Sequence, residues 1–284
     1  MAIFERTPVA GGMTTLYSIN LSTLDVQPFV TSVAATRPDW CWNRTGGQLT
    51  IGPVAFSSNN SGVYVVPVGS SSPVLLANTA DMIYPSWYPD CLHLATDVTT
   101  TQVTAEIDAS TGTTIRSPLA NDIVWAGFPS VNQVNPNLVA FAGQNNVLSN
   151  YYNQDINFIW VTDTRTRIPR VAPLDRRAPR GPSFVPIFQA RAPWWSPDGK
   201  WFAFESNRNC NEIDGSTYAI FIQDATGASP AMQVTDCQYN AQHPKWFPPG
   251  VPPGKALLIV AAQPSPDAPD AIATLDVSAF VTGC

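Results

Sequence analysis

The stretch from Arg191 to Arg208, RAPWWSPDGKWFAFESNR, decides how this chain is read. Its core, Pro-x-Trp-Ser-Pro-Asp-Gly-Lys, has altered copies throughout the sequence. Aligned on the proline they are RPDWCWNRTGGQLTI from Arg37, YPSWYPDCLHLAT from Tyr84, FPSVNQVNPNLVAF from Phe128 and HPKWFPPG from His243. Four of the five place tryptophan two residues after the proline (Trp40, Trp87, Trp195 and Trp246), and Val131 stands in the fifth. A repeat of roughly 45–65 residues means one small unit stacked many times.

The best copy divides into four short strands: Ala192 to Trp195, Trp201 to Glu205, Tyr218 to Gln223 and Met232 to Thr235. Ser-Pro-Asp-Gly-Lys makes the tight turn between the first two. Pro197 presets φ, Asp198 bonds backbone amides, and Gly199 accepts a positive φ. Four antiparallel strands per unit, with an indole in a fixed place, predict the blade of a β-propeller. Stacked blades cover each other's faces, and the tryptophans fill the wedges between them.

The N-terminus joins the alignment. AIFERTP from Ala2 matches AFESNR from Ala203, and TTLYSINLST from Thr14 matches TYAIFIQDAT from Thr217. The first unit therefore lacks its first strand. The last shows three strands, with a short fourth expected at Ala279 to Val281. The expectation is an all-β, six-bladed propeller of four-stranded antiparallel blades forming one domain over 1–284. Its blades run 1–35, 36–81, 82–125, 126–189, 190–240 and 241–284. Five blades result if the terminal strands share one sheet. Residues 278–284 either complete the sixth blade or supply the missing strand of the first.

These motifs resemble the TolB-type β-propeller repeat, which also occurs in prolyl oligopeptidase propellers and some polysaccharide lyases. The resemblance spans nearly the whole chain and is sharpest over residues 191–250. It implies a propeller that binds proteins, sugars or peptides, with enzymes in the minority, so fold alone does not fix function. The multi-histidine metal cluster of the oligogalacturonate lyases has no counterpart here. No cofactor and no metal site is expected.

Net charge is −6, which argues against a nucleic-acid partner. The longest apolar run, Ala256 to Ala262, is too short to cross a bilayer, so no transmembrane segment is expected. A secreted or periplasmic location is the expectation, with the N-terminal methionine replacing a leader. Of twelve arginines, seven lie between Arg165 and Arg191. Among these, Arg176, Arg177 and Arg180 sit on a long connection between blades and form a candidate docking surface for an acidic partner. None of the five cysteines is in Cys-x-x-Cys spacing. Cys210 and Cys237 fall on one face of a single blade and are assigned as a disulfide. Pairing of Cys41 with Cys91, and the state of Cys284, stay open.

In a propeller the first strands line the channel, so the residues before each repeat proline converge on its entrance. Arg37, Tyr84, Phe128 and His243, with Arg191 one step earlier than Ala192, form the candidate ligand-binding ring. Glu5 and Glu205 occupy equivalent places at the end of the second strand, beside Arg6 and Arg208. Ser57, Ala95, Ala142 and Ala261 fill that place elsewhere. Glu205 and Arg208 join the candidate site, although an ion-paired rim residue explains each glutamate as well. His93, aligned with Ala203 inside a strand, reads as structural. His243 is the candidate catalytic base, with Arg37 and Arg191 to neutralise a carboxylate.

The expected function is a non-enzymatic module recognising a protein or glycan partner through the channel-entrance face. The alternatives are a lyase or hydrolase of an anionic saccharide using His243 with Arg37 and Arg191, and a scaffold subunit of a larger assembly.

Overall fold

A computed structural model describes residues 2–8, 11–20, 23–45, 48–58, 61–145, 157–171, 189–208, 210, 217–227, 230–247, 254–263, 265 and 268–281. Six antiparallel sheets follow one another along the chain, and the architecture is an all-β, six-bladed propeller. The chain divides into two compact units, Met1–Leu119 and Ala120–Cys284, each holding three sheets. Among the described residues no helix is long and apolar enough to cross a membrane.

In the first unit, β1 (Ala2–Arg6), β2 (Thr15–Ile19) and β3 (Val26–Val30) make a three-stranded sheet. The second sheet comprises β4 (Thr36–Thr45), β5 (Gln48–Ser58), β6 (Gly62–Val66) and β7 (Val74–Leu75). The third comprises β8 (Met82–Trp87), β9 (His93–Val98), β10 (Val103–Asp108) and β11 (Thr114–Arg116). The second unit opens with β12 (Ile123–Val131), β13 (Leu138–Asn145), β14 (Phe158–Asp163) and β15 (Ile168–Val171). Then come β16 (Ala190–Trp195), β17 (Trp201–Ser206), β18 (Ala219–Asp224) and β19 (Met232–Gln233). The last sheet has β20 (Gln242–Trp246), β21 (Leu257–Ala262) and β22 (Ala271–Asp276).

One expectation changes. The first sheet has three strands, as its missing first strand predicts, and the last also has three among the described residues. The short fourth strand expected at Ala279 to Val281 does not form: residues 278–280 make a turn in which Phe280 N donates to Val277 O at 2.9 Å. The terminal strands form separate sheets, which gives six blades and not five.

Alternation along the strands sends successive side chains to opposite neighbours. Phe202 and Phe204 pack with Ala140, Ala142 and Ile159 of the fourth sheet, whereas Ala203 packs with Trp246, Leu258 and Val260 of the sixth. Three repeat tryptophans share a buried cluster with small residues of the preceding sheet: Trp195 with Ala140 and Ala142, Trp87 with Ala55, and Trp246 with Ala203. Small residues leave room for a large ring in the wedge, and removing a buried indole costs on the order of 3–5 kcal/mol. Two indoles also bond across that seam: Trp195 Nε1 donates to Ser130 O and Trp246 Nε1 to Trp194 O, both at 3.0 Å.

The Ser-Pro-Asp-Gly turn forms as its residues predict. Ser196 Oγ donates to Asp198 Oδ1 at 2.6 Å and accepts from Trp201 N at 2.9 Å, while Gly199 takes φ +70°. A second repeated turn escaped sequence reading. Asp108, Asp163, Asp224 and Asp276 each end the third strand of a sheet and accept the amide two residues on, at 2.9–3.1 Å. Asp-x-Ser/Thr (Asp-x-Arg at Asp163) was its signal.

Candidate functional site

The residue before each repeat proline is left-handed in every copy. Arg37, Tyr84, Phe128, Ala192 and His243 have φ of 56°, 55°, 55°, 50° and 55°. Non-glycine residues rarely adopt this region, so five equivalent instances mark one device. At each, the first strand places three residues where its neighbour places two, as in Arg191↔Glu205 followed by Trp194↔Ala203. This is a β-bulge. It absorbs a proline that cannot donate to the ladder and turns the preceding amide out of the sheet.

That amide meets the end of the second strand of the preceding sheet. Glu5 Oε2 accepts from Arg37 N at 3.2 Å, Ser57 Oγ from Tyr84 N at 2.7 Å, and Glu205 Oε2 from His243 N at 2.5 Å. The pairing corrects one alignment: Ala95 faces Ser86, and the residue opposite Ile83, equivalent to Glu205, is the buried Asp97. Ala142 stands in this place in the fourth sheet and has no oxygen to offer Ala192. The likeness of Glu5 to Glu205, legible in sequence, thus reflects a shared hydrogen-bonding task.

In the second unit this device gathers three predicted residues. The Glu205 side chain is wholly buried, bonds Arg191 Nε and lies 3.2 Å from His243 Nδ1, whereas Arg191 and His243 are 27% and 26% exposed. The ion pair expected of Glu205 is formed with Arg191, and its place is buried: it shares the parity of Ala203, which packs with the sixth sheet. Burial pushes its carboxyl up, but His243, through charge, side chain and amide, and Arg191 outweigh burial and hold it down at about 2. Arg191 also stacks over Tyr218, 4.2 Å from the ring centre, and donates to Gln242 Oε1 at 3.4 Å. Tyr218 OH bonds Gln189 Oε1 at 2.5 Å, and burial raises its phenol. Tyr218, Gln189 and Gln242 carried no sequence signal as a group, because nothing in their spacing brings them to one place.

In the first unit Arg37 lies over Tyr84, 5.3 Å from the ring centre. Glu5, Thr36, Arg37, Ser57, Ile83 and Tyr84 line a half-open cavity of about 200 Å³. Phe128 belongs to the second unit, packed against the core of its fourth and fifth sheets. Arg208 turns to the other side of its sheet from Glu205, with its guanidinium over Phe204 and Phe221 and its Nε on Ser206 Oγ. Arg176, Arg177, Arg180 and Cys284 lie outside the described residues.

The disulfide Cys210–Cys237 forms, with Cα atoms 5.5 Å apart. Cys41–Cys91 forms as well and ties the second sheet to the third. His93 begins β9 and matches Trp201, not Ala203, and its Nδ1 meets Asp90 Oδ2 at 2.6 Å in the hairpin turn. Among the described residues no group of three or more His, Cys, Asp or Glu side chains is placed to hold a metal ion.

Neither a protein-family model nor a curated protein matches this chain. Solved structures do. A protein described as TolB from Agrobacterium tumefaciens is 15% identical, with 92% of this chain and 83% of that one covered and a TM-score of 0.64. An oligogalacturonate lyase in complex with manganese is 12% identical, over 95% of this chain and 70% of that one, at a TM-score of 0.55. The β-propeller domain of the trilobed protease from Pyrococcus furiosus is 10% identical, over 97% and 91%, at 0.54. At these identities the shared property is the propeller fold, which a TolB, a lyase and a protease domain put to different uses.

Proposed function

We propose that this chain is a non-enzymatic binding module that engages a protein or glycan partner through the ends of the strands carrying the left-handed bulges. One observation carries this reading: Glu205, which lies 3.2 Å from His243 Nδ1, occupies a place that Glu5 and Ser57 fill with the same bond to a following amide. The His243–Glu205 contact is thereby accounted for by the packing of sheets. What the bulges leave part-exposed is a set of side chains suited to recognition: Arg37 with Tyr84, Arg191 packed over the buried Tyr218, and His243. Two disulfides favour a secreted or periplasmic setting.

The test is a glycan array and partner capture run beside a cleavage assay on anionic oligosaccharides. Binding without new reducing ends or unsaturated products supports the module. Cleavage that His243→Ala abolishes overturns it in favour of the lyase or hydrolase reading.

A further inference from the structure

The cavity of the first unit has a composition that the recognition surface as a whole does not explain. Its lining comes from three sheets: Glu5 on β1, Thr36 and Arg37 on β4, Ser57 on β5, and Ile83 and Tyr84 on β8. The two charges are opposite, one carboxylate and one guanidinium. Glu5 reaches the amide of Arg37 at 3.2 Å, so the carboxylate is held next to the residue that carries the balancing charge. Thr36 and Ser57 add hydroxyls, with Ser57 fixed by accepting Tyr84 N at 2.7 Å. Arg37 lies with its guanidinium against the Tyr84 ring. A guanidinium carries its N–H donors at its edge, in one plane.

We infer that this cavity binds one neutral sugar ring of a glycan, a reading that rests on the binding-module function proposed above. A volume of about 200 Å³ equals the liquid share of roughly six water molecules. That is room for about one pyranose, with the rest of a longer glycan left outside the half-open mouth. A ligand carrying charge of one sign only would satisfy one of Glu5 and Arg37 and oppose the other at short range. Vicinal hydroxyls each donate and accept, so one diol gives to the carboxylate and receives from the guanidinium without a charge mismatch. Ile83 offers apolar surface for the C–H face of the ring, as sugar sites commonly require. The left-handed φ of Arg37 and Tyr84, 56° and 55°, sets both side chains by backbone geometry before any ligand arrives.

The experiment is calorimetry on the intact chain with the best neutral oligosaccharide from a glycan array, with an oligouronate as the anionic comparator and a free amino acid as the zwitterionic one, whose tighter binding than the neutral glycan would overturn the inference. Wild type is expected to prefer the neutral glycan. Arg37→Ala and Tyr84→Ala should weaken it about tenfold or more, the scale of losing hydrogen bonds to a charged group. Glu5→Gln keeps an acceptor for the Arg37 amide, so the fold is retained, and it should weaken the neutral glycan several-fold. If Glu5→Gln instead strengthens oligouronate binding above the neutral glycan, the cavity is an anion site and the inference fails. Equal neutral-glycan binding by wild type and all three variants, each folded by circular dichroism, places recognition elsewhere and overturns this inference alone. Failure of wild type to bind any neutral glycan also overturns it, while a captured protein partner would leave the binding-module reading standing. Saccharide cleavage by wild type overturns that broader reading.

Discussion

Glu205 Oε2 accepts the backbone amide of His243 at 2.5 Å, and the same carboxylate bonds Arg191 Nε from a wholly buried position. One side chain thus joins the fifth sheet to the sixth and holds the cation on its own sheet. A buried charge is tolerated only when paired and hydrogen-bonded, and here both conditions are met.

Removing that carboxylate should therefore destabilise the fold. Glu205→Ala leaves Arg191 and the His243 amide without it, for a loss of about 3 kcal/mol in urea unfolding. Glu205→Gln keeps an acceptor and should lose roughly half as much. Equal stability of Glu205→Ala and wild type would show that the seam does not depend on this bond.

The same group sets an acid limit. The ordinary glutamate value of 4.5 is depressed to about 2 in the folded protein. Its contribution is whole above the unfolded value, shrinks as pH falls below 4.5 while the unfolded chain takes up the proton, and is gone below about 2. The stability gap between wild type and Glu205→Gln should accordingly be whole just above pH 4.5 and close progressively from pH 4.5 to 2. A gap constant across that range would contradict the assignment.

The Cys41–Cys91 bridge closes a longer segment than Cys210–Cys237, with sequence separations of 50 and 27. Loop-closure entropy predicts stabilisation of about 4 and about 3.5 kcal/mol respectively. Replacing Cys41 and Cys91 together by serine should lower the unfolding midpoint at least as much as replacing Cys210 and Cys237. Calorimetry of both pairs, with and without a reductant, reads the difference.

Glycine is required at 199 for two reasons and at 69 for one. Both take positive φ, +70° and +75°. A Cβ at 199 would come 2.6 Å from Asn132 Oδ1, which already accepts Val134 N and Asn135 N at 2.9 Å, whereas a Cβ at 69 meets nothing within 4 Å. Gly199→Ala should cost about 2–3 kcal/mol and Gly69→Ala about 1. Chemical denaturation of both variants separates backbone strain from the clash.

The repeat made the fold readable without coordinates. A proline, an indole two residues on and a turn-forming Asp-Gly recur because each blade solves the same packing problem, and strand periodicity is a local property. Pairing at the seams was not readable. Asp97 follows Pro85 by as many residues as Glu205 follows Pro193, so its place opposite Ile83 was legible in the spacing of the repeat, whereas its burial was not. The left-handed turn before each proline, the burial of Glu205 and the gathering of Arg191, Tyr218 and Gln242 were decided only when sheets distant in sequence met. Local residues specify local geometry; which carboxylate faces which amide across a seam is settled by the tertiary packing that removes both from water.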